Sequence, residues 1–269
     1  MFTNKMETES IPERVFLIYS IVKDKPIKND ELRKRLMPSG NISDYSYYSA
    51  SRRCAEELAL ITNSDDCLYA NSELDAIDDI LAFRRYINNI LENYKEGHFY
   101  KATSAFFSMN INDSKKNTKS DQWSAILTKE ISKSDEEHVI NIDGKEVNAW
   151  KFWVSFLGFA VVNNITFLPN AAPFIEDLIC ESDMQVDETY TVSEFIDKLK
   201  PKADIILGDV SSKVLNYGTS CGLRTLHDLK FIEIVRGLDQ GDIWSLYKMD
   251  NHVISSTINR IKIVKKERL

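Results

Sequence analysis

The stretch from residue 191 to residue 248 constrains this chain more than any other. Thr191-Val-Ser-Glu194 has the form of a capping box and opens a helix over 192–199, which Pro201 ends. From Thr219 the chain reads T-S-C-G-L-R-T-L-H-D-L-K, and Leu223, Leu226 and Leu229 mark one side of a short helix. That helix runs into an apolar run over 231–235. A Gly/Asp turn over 237–242 separates it from a second apolar run over 243–247. Helix, strand, tight turn and strand form the second half of a winged helix, with Leu238-Asp239-Gln240-Gly241-Asp242 as the wing tip. A looser copy lies near the start of the chain. Helices are predicted over 11–23, over 29–36 before Pro38, and over 44–60. Apolar runs at 60–62 and 67–70 then flank an Asn63-Ser64-Asp65-Asp66 turn. The expected architecture is α+β, mainly α. Two winged-helix modules, over 1–70 and 187–269, flank a helical middle domain over 71–186.

Within the middle, Leu74, Ile77, Leu81, Ile87 and Leu91 predict a helix over 72–93 with Asn71 or Ser72 at its start. An aromatic-rich helix follows over 98–109. The polar segment 110–120 reads as a loop, 123–131 as a short helix, and Asp143-Gly144 as the turn of a hairpin over 139–147. A hydrophobic helix over 150–162, a strand over 165–168 and a helix over 172–180 complete it. The run 152–162 is the most apolar, and it falls well short of the roughly 20 residues that cross a bilayer, so no membrane partner is expected. Residues 1–10 hold no apolar stretch of the kind a signal peptide needs. Cys54, Cys67, Cys180 and Cys221 are scattered, which points to reduced thiols in a cytoplasmic protein and to no zinc site.

The formal net charge of −7 is unevenly distributed. Residues 1–70 carry 10 basic and 11 acidic groups, residues 71–186 carry 11 and 18, and residues 187–269 carry 13 and 12. The acidic excess therefore sits in the middle, and both end modules are near neutral. In a winged helix the helix before the wing reads base edges, and the wing lies along phosphates. In the first copy that helix holds Ser46, Tyr47, Tyr48, Ser49, Arg52 and Arg53, preceded by Arg33, Lys34 and Arg35. Hydroxyls and guanidiniums suit phosphate oxygens and base edges, so double-stranded DNA is the expected ligand. The blander reading packs Tyr47, Tyr48 and Cys54 in the core and leaves the arginines solvated. In the second copy the candidates are Thr219, Ser220, Arg224, Thr225, His227 and Lys230, with Arg236 at the base of the wing. A basic tail over 254–269 adds Lys262, Lys265 and Lys266. Asp65, Asp66, Asp239 and Asp242 make both wing tips acidic, which favours a second reading: a docking subunit that holds a partner protein.

No phosphate-binding, dinucleotide-binding or nucleophile-elbow motif is present, and the four histidines lack metal-ligand spacing, so neither catalysis nor a cofactor is expected. Glu176 with Asp177, or Asp204 with Asp209 and Lys213, are the carboxylates nearest to a nuclease-like metal site. Their positions at helix and loop ends suit caps equally well. A third reading is a ligand-sensing regulator whose pocket is lined by Phe99, Phe106, Phe107, Trp150 and Trp153; such large apolar groups are also what a packed core requires.

Three segments together resemble a known family: I-P-E-R-V-F-L-I-Y-S-I-V over 11–22, S-R-R-C-A-E-E-L-A-L-I-T over 51–62, and W-V-S-F-L-G-F-A-V-V-N-N-I-T-F-L-P-N over 153–170. In this order, closed by a second winged helix, they are similar to DpdG-like proteins. These are accessory components of bacterial clusters that insert 7-deazaguanine bases into DNA and restrict foreign DNA. The resemblance covers most of the chain and rests on apolar patterns. It implies an antiviral-defence accessory protein that binds DNA or partner subunits, and it supplies no catalytic residues; in the docking reading the partner is an ATPase or nuclease.

Overall fold

Helix α1 (Pro12–Asp24) begins with a proline in its first turn and buries Val15, Ile18, Tyr19 and Val22 at helical spacing. It leads through β1 (Ile27–Lys28) and α2 (Asn29–Leu36) to α3 (Ser46–Glu57), which lies against α1. Strands β2 (Ile61–Ser64) and β3 (Cys67–Ala70) then form an antiparallel hairpin whose two-residue turn is Asp65-Asp66, at φ 51° and 61°. Both residues sit in the left-handed region that this tight turn requires and that Asp tolerates. Strand β1 pairs with β3, giving the sheet order β1-β3-β2. The computed structural model describes residues 1–37, 46–74, 77–116, 119–134, 140–163, 166–236, 241–249 and 252–266.

The middle of the chain differs from expectation in four places. The first helix, α4 (Ile80–Ile90), starts eight residues later than 72, because Asp79 accepts the amides of Leu81 and Ala82 at 2.8 and 2.6 Å. After α5 (His98–Ser108), part of the expected polar loop is a short helix, α6 (Ile111–Lys116), which buries Ile111 and Ser114. Helix α7 (Ser120–Ser134) follows. Asp143-Gly144 is the start of α8 (Gly144–Phe156), with Asp143 and Glu146 forming a reciprocal capping box. The same Asp-Gly pair would fit a hairpin, and Glu146 three residues on decides for a helix; residue 139 of the expected hairpin lies outside the described residues. Lastly, the apolar stretch after α8 turns at Gly158 (φ 86°) into β4 (Ala160–Asn163), which pairs with β5 (Thr166–Pro169).

A second unit repeats the order of the first. Helix α9 (Ala172–Glu181), β6 (Thr189–Thr191), α10 (Val192–Leu199), a short α11 (Asp204–Leu207), α12 (Tyr217–Asp228) and β7 (Ile232–Val235) run in sequence. Strands β8 (Trp244–Ser245) and β9 (Thr257–Ile258) pair with each other, and β10 (Arg260–Ile263) closes the sheet in the order β6-β10-β7. In both units the last strand lies between the other two. The expected partner of β7, the run 243–247, therefore pairs elsewhere. The expected basic tail is instead the central strand, with Ile261 and Ile263 buried. Residues 238–240 of the expected wing tip lie outside the described residues, as does residue 44 at the expected start of the third helix.

One continuous hydrophobic cluster joins both units to the middle. Residues 1–10 contribute to it despite their polar composition: the Phe2 ring meets Phe99 and Trp153 at 5.0 Å each. Phe99, Phe106, Phe107, Trp150 and Trp153 are all buried, and Phe106 meets Trp150 edge-on at 5.0 Å. These rings are core, and among the described residues Phe107 alone of the five also borders a cavity, of about 300 Å³, that Ser104, Ile205 and Asn216 help to line.

Candidate macromolecular interface on the first unit

Helix α3 presents two faces. Tyr48, Ala50, Ser51, Cys54 and Ala55 are buried against the rest of the unit. Tyr48 belongs to this inner face. Its hydroxyl donates to the Asn29 side-chain oxygen at 2.5 Å, and burial pushes its pKa up to about 12 against the opposing charges of Arg52 and Arg33. The outer face carries Ser46, Tyr47, Ser49, Arg52 and Arg53, with Tyr47 45% exposed. Arg14 of α1 lies over the Tyr47 ring at 4.5 Å. The site thus gathers α3's outer residues and sets Arg33 and Arg52 around Tyr48, at the foot of α2.

Every arginine that α2 and α3 contribute is already in an ion pair. Arg33 meets Asp30 at 3.0 Å and Arg35 meets Glu31 at 2.6 Å. Arg52 donates to Glu56 at 2.5 Å, and Arg53 donates to both oxygens of Glu7 at 2.7 and 3.0 Å. Such exposed pairs stabilise little and exchange readily. They nevertheless set a carboxylate beside each guanidinium, and the hairpin tip adds Asp65 and Asp66. Lys34 is exposed and has no ion pair among the described residues. Three of the four carboxylate partners stand three or four residues from their arginines and were readable by helical spacing. Glu7 is brought in by the tertiary fold alone.

The matching helix of the second unit is covered. Thr219, Ser220 and Arg224 are at most 2% exposed. Gly218 lies against Phe107 and Pro169, and Gly222 against the backbone of Ala171 and Ala172. Thr225 accepts a bond from Asn170 at 3.3 Å, and the His227 Nδ1 accepts the Ile234 amide at 3.0 Å. The inner side of α12 is thus packed against the middle of the chain, where its glycines let it approach closely. Only Lys230 and Arg236 remain exposed among its candidates. Lys262 pairs with Asp187 at 2.8 Å, and Lys266 donates to the Ser182 carbonyl at 2.7 Å. Lys265 lines an open groove of about 400 Å³ with Arg84, Glu176 and Leu229. Lys262 therefore lies on the central strand of a folded sheet, and Lys265 and Lys266 directly follow that strand. Asp242, expected at a phosphate-facing wing tip, instead accepts from Ser193, Lys213 and Trp244; burial raises its carboxyl, but these donors outweigh it and hold the pKa well below the usual range.

The carboxylates considered for metal chemistry are occupied. Asp177 is held by Arg84 at 2.9 and 3.1 Å and by Asn88 at 3.2 Å, and Asp209 accepts the Ser211 amide at 2.9 Å. Among the described residues no cluster of three metal-ligating side chains is found, and no helix is long and apolar enough to cross a membrane. No family model matches the chain, and no curated protein or solved structure matches it.

Proposed function

We propose that the chain is a non-enzymatic accessory subunit built on two winged helices, which uses the outer face of α3 to dock a partner protein. The contrast between two matched helices carries this reading: α3 keeps an uncovered outer face, whereas α12 is packed into the fold. The character of that face favours protein over nucleic acid. It combines an exposed tyrosine under a cation with mixed, locally neutral charge, as protein interfaces do. Phosphate binding draws on uncompensated cations, and here each guanidinium of α2 and α3 has a carboxylate neighbour. Resemblance to DpdG-like proteins implies a partner subunit from a DNA-modification or restriction system, and the docking reading makes it an ATPase or nuclease.

Duplex DNA is the second reading, favoured by the hydroxyls and guanidiniums of Ser46, Tyr47, Ser49, Arg52 and Arg53 together with unpaired Lys34. One pair of experiments separates the two. In affinity capture from the source cells, docking predicts one protein retained by the wild type and lost by both Tyr47→Ala and Arg53→Ala. In fluorescence anisotropy, duplex binding that falls steeply with salt and disappears in the Arg52→Ala/Arg53→Ala variant overturns docking in favour of DNA.

A further inference from the structure

A cavity of about 210 Å³ opens between α1, α2 and α3, lined by Leu17, Ile18, Leu36, Met37 and Tyr47 among others. Leu17 is 47% exposed and Tyr47 is half-buried, so both reach the mouth, while Ile18 is buried and belongs to the floor. Large apolar side chains left partly in water around a concave apolar space mark a place that takes an apolar group. Size limits what that group is. A cavity of about 150 Å³ is enough to hold a benzene ring, whereas drug-sized ligands occupy roughly 300–1,000 Å³. This cavity therefore admits one large apolar side chain and not a whole ligand.

Its rim carries charge of one sign. Arg14 lines the cavity, with its guanidinium 4.5 Å over the Tyr47 ring and its Nη1 donating to the Glu9 carbonyl at 2.9 Å. No carboxylate is among the lining residues, and Arg14 has no ion pair among the described residues. That sets it apart from Arg33, Arg35, Arg52 and Arg53, each of which meets a carboxylate. A guanidinium presents five donors in a planar fork, so one carbonyl leaves most of the fork for an incoming acceptor. A phosphate would satisfy Arg14 as well, but a duplex backbone brings no apolar group to fill the cavity beside it.

We infer that this cavity is the socket of the α3 docking face: an acidic, amphipathic segment of the partner protein seats one large apolar side chain in it and sets a carboxylate against Arg14. The two features act together. An anchor held by Leu17, Ile18 and Tyr47 excludes water from the neighbouring guanidinium, and a charged hydrogen bond gains strength as water leaves. The inference rests on the docking reading of α3 and adds to it the chemistry of the partner.

The test titrates the full chain, labelled at Ile, Leu and Met methyl groups, with N-acetyl-phenylalanine and with N-acetyl-phenylalaninamide, which carry the same ring with and without a carboxylate. The first is expected to shift the Leu17, Ile18 and Met37 methyl signals saturably and to bind several-fold tighter than the second. Arg14→Gln should bring the two to equal affinity. Leu17→Lys, an exposed change that leaves folding intact, should weaken both and should release the protein captured through α3. The inference is overturned if neither compound moves those signals, or if the preference for the carboxylate survives in Arg14→Gln. A captured protein that depends on Tyr47 and Arg53 but is retained by Leu17→Lys removes the socket and leaves the docking reading standing. If the wild type captures no partner, the docking reading falls and the socket with it. Duplex binding that Arg14→Gln abolishes and Leu17→Lys leaves intact also overturns the inference, by assigning Arg14 to phosphate.

Discussion

Replacing Gly222 with alanine tests the packing of α12, and the sign of the result is decisive. In an open helix the change stabilises by about 1 kcal/mol, because alanine loses less backbone entropy than glycine. Here the added methyl would stand 2.9 Å from the Ala171 carbonyl carbon and from the Ala172 nitrogen, and 3.2 Å from the Ala171 Cα. All three are backbone atoms at the start of α9, so no side chain can swing aside to make room. Helix α12 or the 171–172 segment must move, and overpacking of this kind costs about 1–3 kcal/mol. The propensity gain offsets part of that, leaving a net loss of about 1 kcal/mol and at most about 2. Urea unfolding is the assay, read as a lower midpoint at unchanged slope. A Gly222→Ala protein more stable than the wild type by about 1 kcal/mol would refute the close approach. It would also return α12 to the surface as a helix free to read a duplex.

Two further predictions rest on buried charge. Asp177 is 1% exposed and is held by Arg84 and Asn88, so Asp177→Ala leaves a guanidinium unpaired beneath α4 and α9. The expected loss is about 3–5 kcal/mol, and a loss under about 1 kcal/mol in denaturant unfolding contradicts the buried pair. Acid sensitivity follows from Glu146 and Asp242. Burial raises the Glu146 carboxyl, but bonds from His98 and from the Met6 and Asp143 amides outweigh it and leave it below the usual range, as the donors to Asp242 do there. A depressed folded-state value means that stability is fully present above the unfolded carboxylate range, near about 4, and drains away as pH falls through the folded values. Melting temperature should therefore hold from neutral pH to about 5 and fall below about 4; a curve flat to pH 3 counts against these bonds.

What was legible in the sequence follows the range of the interactions involved. The Thr191/Glu194 capping box and the bounds of α5 and α9 rest on local periodicity and caps, and they lie within a residue or two of expectation. The sheet of the second unit rests on distant pairing. Two apolar runs, 243–247 and 260–263, compete for β7, and the nearer loses because it is taken up with Thr257–Ile258. Nothing in a short apolar run states which distant strand it will meet. The site divides in the same way. The residues on α3 were readable from composition, and so were the carboxylates three and four places from Arg33, Arg35 and Arg52. The burial of α12 had a local signal: Gly218 and Gly222, one turn apart, lie on the side that meets Phe107, Pro169 and Ala171. Two glycines at that spacing cost a helix about 2 kcal/mol of propensity, and a chain keeps them where another backbone must come within contact distance. A helix exposed for base reading has no such need, so the spacing itself argued that this side of α12 is packed into the fold.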